Sequence, residues 1–374
     1  MNDKMQVSNS QLHELDSFLS VLTPKIQSDL PAWYGTDAKL LGPPKFQPRP
    51  WSFFVRYIIQ VSGDETKAVL VKLKHTEQMS LSDALASDKM KQEAKDDYET
   101  LVKMNVIFSR GRNSYLFLAI RPLALYEELN AVAMEEANIR TLKSYFQSPE
   151  MILEGGPRQT FEEYLELTGR WLHIFHDQIG RVEEDFLFPK SLYQNAQSGI
   201  RRIQDGAKKI DLTAASDLVN RFYERCSKVK VPYYFLHEDF HLANVFVSDD
   251  GRICSFDPHN RPGPLYLDLA KFMTDLETNR LQVVTNGLFV PSQRLKSFKE
   301  ALLRGYFGVR YIDHFALNLF LLLTLIQKWE ENEIKLERST GPGRFLYLLI
   351  TPQMRRYFQR LLNKLVDEHI RDFR

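Results

Sequence analysis

Cysteine is nearly absent. Of 374 residues only Cys226 and Cys254 carry a thiol. Two thiols with no zinc-type spacing exclude a disulfide framework, and such sparse usage favours a reducing compartment. Net charge is nearly absent too: Lys plus Arg is 49 and Asp plus Glu is 48, a formal charge of +1. No global field draws in a nucleic acid, so an anionic ligand needs a local site. Long apolar runs are missing. The most apolar stretch, residues 315–326, is shorter than the ~20 residues of a membrane span and is interrupted by Asn318, so it reads as a buried helix. Residues 1–30 alternate polar and apolar side chains without the apolar stretch of a signal peptide, which points to the cytoplasm. There is no internal repeat, no low-complexity tract and no G-x-G-x-x-G loop.

What is present divides the chain by character. Residues 10–28 place Leu12, Leu15, Leu19, Leu22 and Ile26 at helical spacing, and the Pro-rich stretch 42–50 reads as irregular. This predicts a helical extension and lead-in over 1–50. Residues 52–61 and 68–74, rich in β-branched and aromatic side chains, flank Ser62-Gly63-Asp64 and predict a hairpin. A helix over 87–105 and strands over 113–121 and 130–135 complete a β-rich first lobe, 51–135. From 136 to 374 the periodicity is helical: 141–147, 159–178, 214–227, 267–277, 293–307, 315–337 and 343–369. The fold class is α+β, with a small β-rich lobe followed by a larger helical one. A ligand cleft between lobes is expected.

The chemistry concentrates in 233–272, YYFLHEDFHLANVFVSDDGRICSFDPHNRPGPLYLDLAKF. Two short strands, 244–248 and 252–256, flank Asp249-Asp250-Gly251, and Asp-Gly is a strong hairpin turn signal. With Asp250-Gly251 as a two-residue turn, Asn244 faces Asp257 at the open end. An amide oxygen beside a carboxylate suits Mg²⁺, which prefers oxygen ligands. Asp239 sits five residues before Asn244, on the loop entering the same spot after a buried strand, 233–236. A carboxylate able to take a hydroxyl proton next to two metal ligands is the set that phosphoryl transfer needs.

The run H-E-D-F-H-L-A-N followed by Asp257 resembles the catalytic and metal-binding motifs of the aminoglycoside phosphotransferase-like superfamily. That family includes small-molecule kinases and has a protein-kinase-like bilobal fold. The resemblance extends, with decreasing strength, over about residues 50–310. It implies an ATP- and Mg²⁺-dependent transfer of the γ-phosphate to a hydroxyl of a small molecule, with Asp239 as base. His237 would shape the catalytic loop, Asn244 and Asp257 would hold Mg²⁺, and His241 resembles a second histidine often found there. Asp268 resembles the D-L-A helix start, and as an acid at a helix N-terminus it would brace the preceding loop. His176 ends a segment resembling a large-lobe helix and is given no catalytic role.

Lys72, in Val69-Leu70-Val71-Lys72-Leu73, matches the phosphate-binding lysine, with Lys74 as its rival on the same strand face. Asp97 or Glu93 would be its acidic partner. Residues 130–136 resemble the strand entering the hinge, so the backbone near Met134, Glu135 and Ala137 would meet the adenine. In place of a glycine loop the chain offers Ser52 and Arg49 to cover the phosphates. The missing loop, and Pro258 after Asp257, keep a second reading open: a catalytically weak or inactive nucleotide-binding module, a pseudokinase. Asp275, Glu277, Glu330, Glu331 and Glu333 are acids that could meet a cationic acceptor or simply face solvent. The stretch 289–311 resembles kinases of sugar or surface-glycan pathways. The basic, aromatic C-terminus, 343–374, would pack on the large lobe or touch a membrane surface. No nucleic-acid partner is expected.

Overall fold

The computed structural model describes residues 9–49, 52–76, 79–137, 139–148, 161–207 and 210–372. It divides into two compact units, Met1–Ile139 with Ser248–Arg252, and Arg140–Val247 with Ile253–Arg374.

The first unit is built on an antiparallel sheet. Ser52–Ser62 pairs with Glu65–Lys74 across the Gly63 turn, and Glu65–Lys74 pairs in turn with Ala131–Glu135, which pairs with Pro122–Tyr126. Along Glu65–Lys74 the side chains alternate. Val69, Val71 and Leu73 enter one core while Lys72 and Lys74 point to the other face, as the two-residue period of a strand requires. The first core is closed by the helix Asn9–Tyr34, whose Phe18, Leu22, Ile26 and Leu30 recur every fourth residue and are all buried against the sheet. This helix is therefore an integral wall of the unit rather than an appendage.

Two expectations for this unit need correction. The Pro-rich stretch contains a regular strand, Lys45–Arg49, paired with Ser52–Ser62. It tolerates Pro48 because it lies at a sheet edge, where a missing N–H leaves no ladder partner unsatisfied. The strand expected over 113–121 is instead a one-turn helix, Asn113–Leu116, and the strand follows at Pro122–Tyr126. Local bonds explain the turn: the Asn113 amide donates to the Ile107 carbonyl at 3.3 Å and the Ser114 hydroxyl to the Gly111 carbonyl at 2.8 Å. Trp51 and the side chain of Arg49, in the segment read as covering phosphates, lie outside the described residues.

The second unit is mainly helical. The helix His314–Arg338 is its axis, burying Leu319, Phe320, Leu322, Leu325, Ile326 and Trp329. Tyr266–Glu277 packs on it, with Thr274 and Thr324 hydroxyls 2.7 Å apart. Of this unit's elements outside the expected set, the two longest are the strand Arg181–Phe186 and the helix Lys190–Gly206. The strand borders Lys230–Leu236 and is mostly exposed, so its pattern lacks an apolar face. The helix buries Ala196, Gly199, Ile200 and Ile203, a face partly made of residues too small to mark it. No helix among the described residues is long and apolar enough to cross a membrane.

Helices Phe161–Ile179 and Ser292–Phe307 touch backbone to backbone. Gly169 lies on the Leu302 carbonyl and Gly305 on the Glu166 carbonyl, with no room for a Cβ at either. Gly169→Ala or Gly305→Ala should therefore push the helices apart and cost about 1–3 kcal/mol, the usual range for overpacking. A urea midpoint unchanged in both variants would contradict this packing.

Candidate active site

The loop 237–244 is pinned at both ends. Lys230–Leu236 delivers the chain into it, and Arg261–Pro264 returns antiparallel to the same strand, with Arg261 opposite Leu236. Below it sits Asp268, fully buried in the first turn of Tyr266–Glu277. Its carboxylate accepts the backbone N–H of His237 at 2.7 Å, that of Glu238 at 2.8 Å and His176 Nε2 at 3.1 Å. His176 Nδ1 in turn lies 2.7 Å from the Tyr306 hydroxyl. Burial works against ionisation of Asp268, but the His176 hydrogen bond and the surrounding His176, His237 and Lys271 charges outweigh it and hold its pKa below the ordinary value. The role of His176 is thus structural, since it orients the carboxylate that orients the loop.

Asp239 is half-exposed at 48%. One carboxylate oxygen faces His241 Nε2 at 3.2 Å and the other accepts Asn244 Nδ2 at 2.6 Å. His241 Nδ1 accepts the Ala243 N–H at 3.1 Å, which turns Nε2 toward Asp239. Partial burial alone would raise the Asp239 pKa. The His241 hydrogen bond and the charges of His241, His237 and His259 reverse that and hold it well below the carboxylate range. Asn244 also donates to the Asp239 carbonyl at 3.0 Å, so its Oδ1 is turned away from Asp239.

The hairpin forms, but one residue out of the expected register. Val245 pairs with Ser255, Phe246 with Cys254 and Val247 with Ile253. The loop holds three residues, Asp249 to Gly251, with Gly251 at φ 85° and its N–H on the Ser248 carbonyl. A three-residue loop with a left-handed glycine is as compatible with Asp-Gly as the two-residue turn. Continuing this register sets Asn244 against Phe256 and leaves Asp257 beyond the ladder. Asp257 itself has φ 69°, which turns the chain sharply at that point. It lies close enough to His237 to act on that ring's charge. Glu238 at φ 61° and Asn260 at φ 52° are left-handed as well, so strained backbone clusters around this loop.

Two residues here were not singled out from sequence. The Ser255 hydroxyl lies 2.7 Å from His237 Nε2 and donates to the Asn244 carbonyl at 2.7 Å, joining the two. Lys271 Nζ donates to the Glu238 carbonyl at 2.6 Å. Their only sequence signal is spacing: Ser255 is two residues before Asp257, and Lys271 is one turn after Asp268.

In the first unit Lys72 is 4% exposed and its Nζ is 3.1 Å from Asp97. Lys74 meets the other oxygen of Asp97 at 2.6 Å, so both lysines share one acid. Glu93 is partly exposed and lies 3.9 Å from Lys89 instead. Met134 is buried opposite Leu70. The Glu135 carboxylate accepts Lys67 and the Tyr34 hydroxyl, each at 3.2 Å. The backbone N–H groups of Glu135 and Glu136 already bond Arg121 and Ala68 carbonyls. Ala137 follows them. Ser52 is buried opposite Lys74.

The acids offered for a cationic acceptor are engaged. Asp275 accepts the Leu242 N–H at 3.1 Å, Glu277 pairs with Lys299 at 2.5 Å, and Glu333 is buried against Trp329 and Arg355. Glu330 lies 3.7 Å from Arg202, and Glu331 accepts Gln327.

Asn244 Oδ1 and the Asp257 carboxylate are hard oxygen atoms, the donor type that suits Mg²⁺. Among the described residues no group of three or more His, Cys, Asp or Glu gathers to hold a metal ion.

A β-sheet unit followed by a helical unit, with this loop between a strand and a hairpin, defines the protein-kinase-like fold of the small-molecule kinases. Among solved structures, choline kinase from Cryptosporidium parvum Iowa II superposes with a TM-score of 0.52 at 12% identity, over 94% of this chain and 97% of that one. A glucosamine kinase solved with glucosamine, ADP and inorganic phosphate gives 0.50 at 12% identity, over 90% and 83%. At such identity the likeness is one of fold. No protein-family profile and no curated protein sequence matches the chain.

His237 is buried, and burial lowers its pKa to about 4, with Asp268, Asp239 and Asp257 pulling partly in the other direction. An unfolded histidine titrates near 6.5, so between about pH 6.5 and 4 the unfolded chain binds a proton that the folded one refuses. Stability should fall as pH drops through that window, by about 3 kcal/mol in all. Urea titrations at pH 7 and pH 4.5 should show this slope in the native chain and a flatter one in His237→Asn; equal slopes would contradict it. Asp268→Ala strands two N–H donors of the loop and should cost about 3 kcal/mol or more by the same measurement.

Proposed function

We propose that the protein transfers the γ-phosphate of ATP to a hydroxyl of a small molecule. The observation that carries this reading is the bond between Asn244 and Asp239: one amide group ties the base to the metal side of the site. Asp239 receives the proton of the acceptor hydroxyl. So acidic a carboxylate is a weak base, which suits a loose transition state in which the proton leaves late and positioning does most of the work. His237 and Ser255 keep the loop and Asn244 in register. Lys72, held in place by Asp97 with Lys74 beside it, meets the α- and β-phosphates. Asn244 Oδ1 and Asp257 would hold Mg²⁺, which neutralises phosphate charge when bound. With the N–H groups of Glu135 and Glu136 committed to the sheet, adenine contact falls to Ala137 and to the carbonyls beside Met134 and Glu135.

The fold neighbours carry choline and glucosamine kinase in their names, so amino alcohols and amino sugars head the acceptor panel, followed by sugar and glycan precursors. The second reading, a nucleotide-binding pseudokinase, draws on the absent glycine loop and on Pro258, which fixes φ and removes an N–H beside the metal ligand.

Mass spectrometry of a hydroxyl panel incubated with ATP and Mg²⁺ tests the reading. Asp239→Asn should lower turnover by about 10²–10⁴-fold while the thermal shift with ATP and Mg²⁺ survives. Lys72→Met should raise KM for ATP. Full activity in Asp239→Asn would defeat the mechanism, and ATP binding without any phosphorylated product would favour the pseudokinase.

A further inference from the structure

The helix Gly341–Asp372 is two-faced in an unusual way. One face buries Met354, Tyr357, Phe358, Leu362 and Val366 in the second unit. The opposite face begins with large apolar side chains in water: Phe345 is 67% exposed, Leu348 52% and Leu349 62%. Their i, i+3, i+4 spacing puts them on one stripe. Two and three turns further along the same stripe come Arg356 and Arg360, both exposed. The segment after Arg280–Val284 lies against these turns. Arg360 donates to the Asn286 carbonyl at 2.9 Å and Gln353 donates to the Val284 carbonyl, which brings Leu288, 83% exposed, to the flank of the stripe.

Charge on this helix is mostly basic. It holds Arg344, Arg355, Arg356, Arg360, Lys364 and Arg371 against Asp367, Glu368 and Asp372, and the three acids all lie in its last six residues, away from the apolar tips. Arg355 is neutralised by buried Glu333 at 2.6 Å. Arg344 and Arg356 are exposed, and neither has an ion-pair partner among the described residues. In a chain of net charge +1 this is a local concentration of positive charge beside exposed apolar tips.

We propose that this stripe docks the protein onto an anionic phospholipid bilayer. Phe345, Leu348 and Leu349 would enter the boundary between headgroups and acyl chains, and Arg344, Arg356 and Arg360 would meet lipid phosphates. Apolar tips flanked by arginine are the recognition chemistry of an interfacial helix. The docking is peripheral, since no helix of the described residues crosses a membrane. It is independent of the phosphotransferase reading and stands or falls separately.

The test is co-sedimentation of the full chain with vesicles of phosphatidylcholine alone and of phosphatidylcholine mixed with phosphatidylglycerol. Binding is expected to the anionic vesicles, to weaken in high salt, and to be nearly absent with the neutral ones. Arg344→Gln and Arg356→Gln should each weaken it by about fivefold. Phe345→Ser with Leu348→Ser and Leu349→Ser should abolish it, with far-UV circular dichroism and thermal midpoint unchanged because these side chains are exposed. No binding to anionic vesicles, or binding indifferent to both sets of variants, overturns the proposal. So does light scattering that finds a dimer which the triple variant converts to monomer, for then the face belongs to a second copy.

Discussion

The buried carboxylate of Asp268 holds the loop on which the rest of the candidate site depends. Taking a charge fully out of water is costly, and it persists only where hydrogen bonds and opposite charges replace the solvent. Here the N–H groups of His237 and Glu238 and the ring of His176 supply that replacement, with Tyr306 behind His176. The compensation works in both directions. The loop satisfies the acid, and the acid fixes two consecutive residues of the loop, one of them in a left-handed conformation that a glutamate does not adopt by itself. Asp239 is the next residue, so its direction follows from a carboxylate about thirty residues away in sequence.

Strain and charge are arranged by the same logic elsewhere in the molecule. Asp257 turns the chain with a positive φ just past the hairpin ladder, and Lys271 clamps the carbonyl of the strained Glu238. In the first unit a lysine almost without solvent shares one aspartate with a second lysine. A chain whose total charge nearly cancels therefore still gathers charged groups into local fields.

Much of this was legible from residue order. The alternation of Val69, Val71 and Leu73 announced a strand with Lys72 on its reverse face, and the Asp-Gly pair announced a hairpin between Asn244 and Asp257. The hairpin's register was not legible. Two- and three-residue loops both accept Asp-Gly, and one residue of difference moves every later side chain. Nor was the strand Lys45–Arg49, because the edge position that excuses Pro48 is a property of the sheet.

Residue order set the periodicities, and hence most of the strands and helices, and it placed Asp239, Asn244 and Asp257 within reach of one another along the chain. Long-range packing was needed to make the helix Asn9–Tyr34 a wall of the first core, to bring Asp97 rather than Glu93 to Lys72, and to set Asp268 and His176 beneath the loop. The division has a physical cause. Hydrophobic period and turn chemistry act between near neighbours and are written in residue order. The pairing of buried charges depends on which side chains are excluded from water together, and that is settled only when distant segments pack.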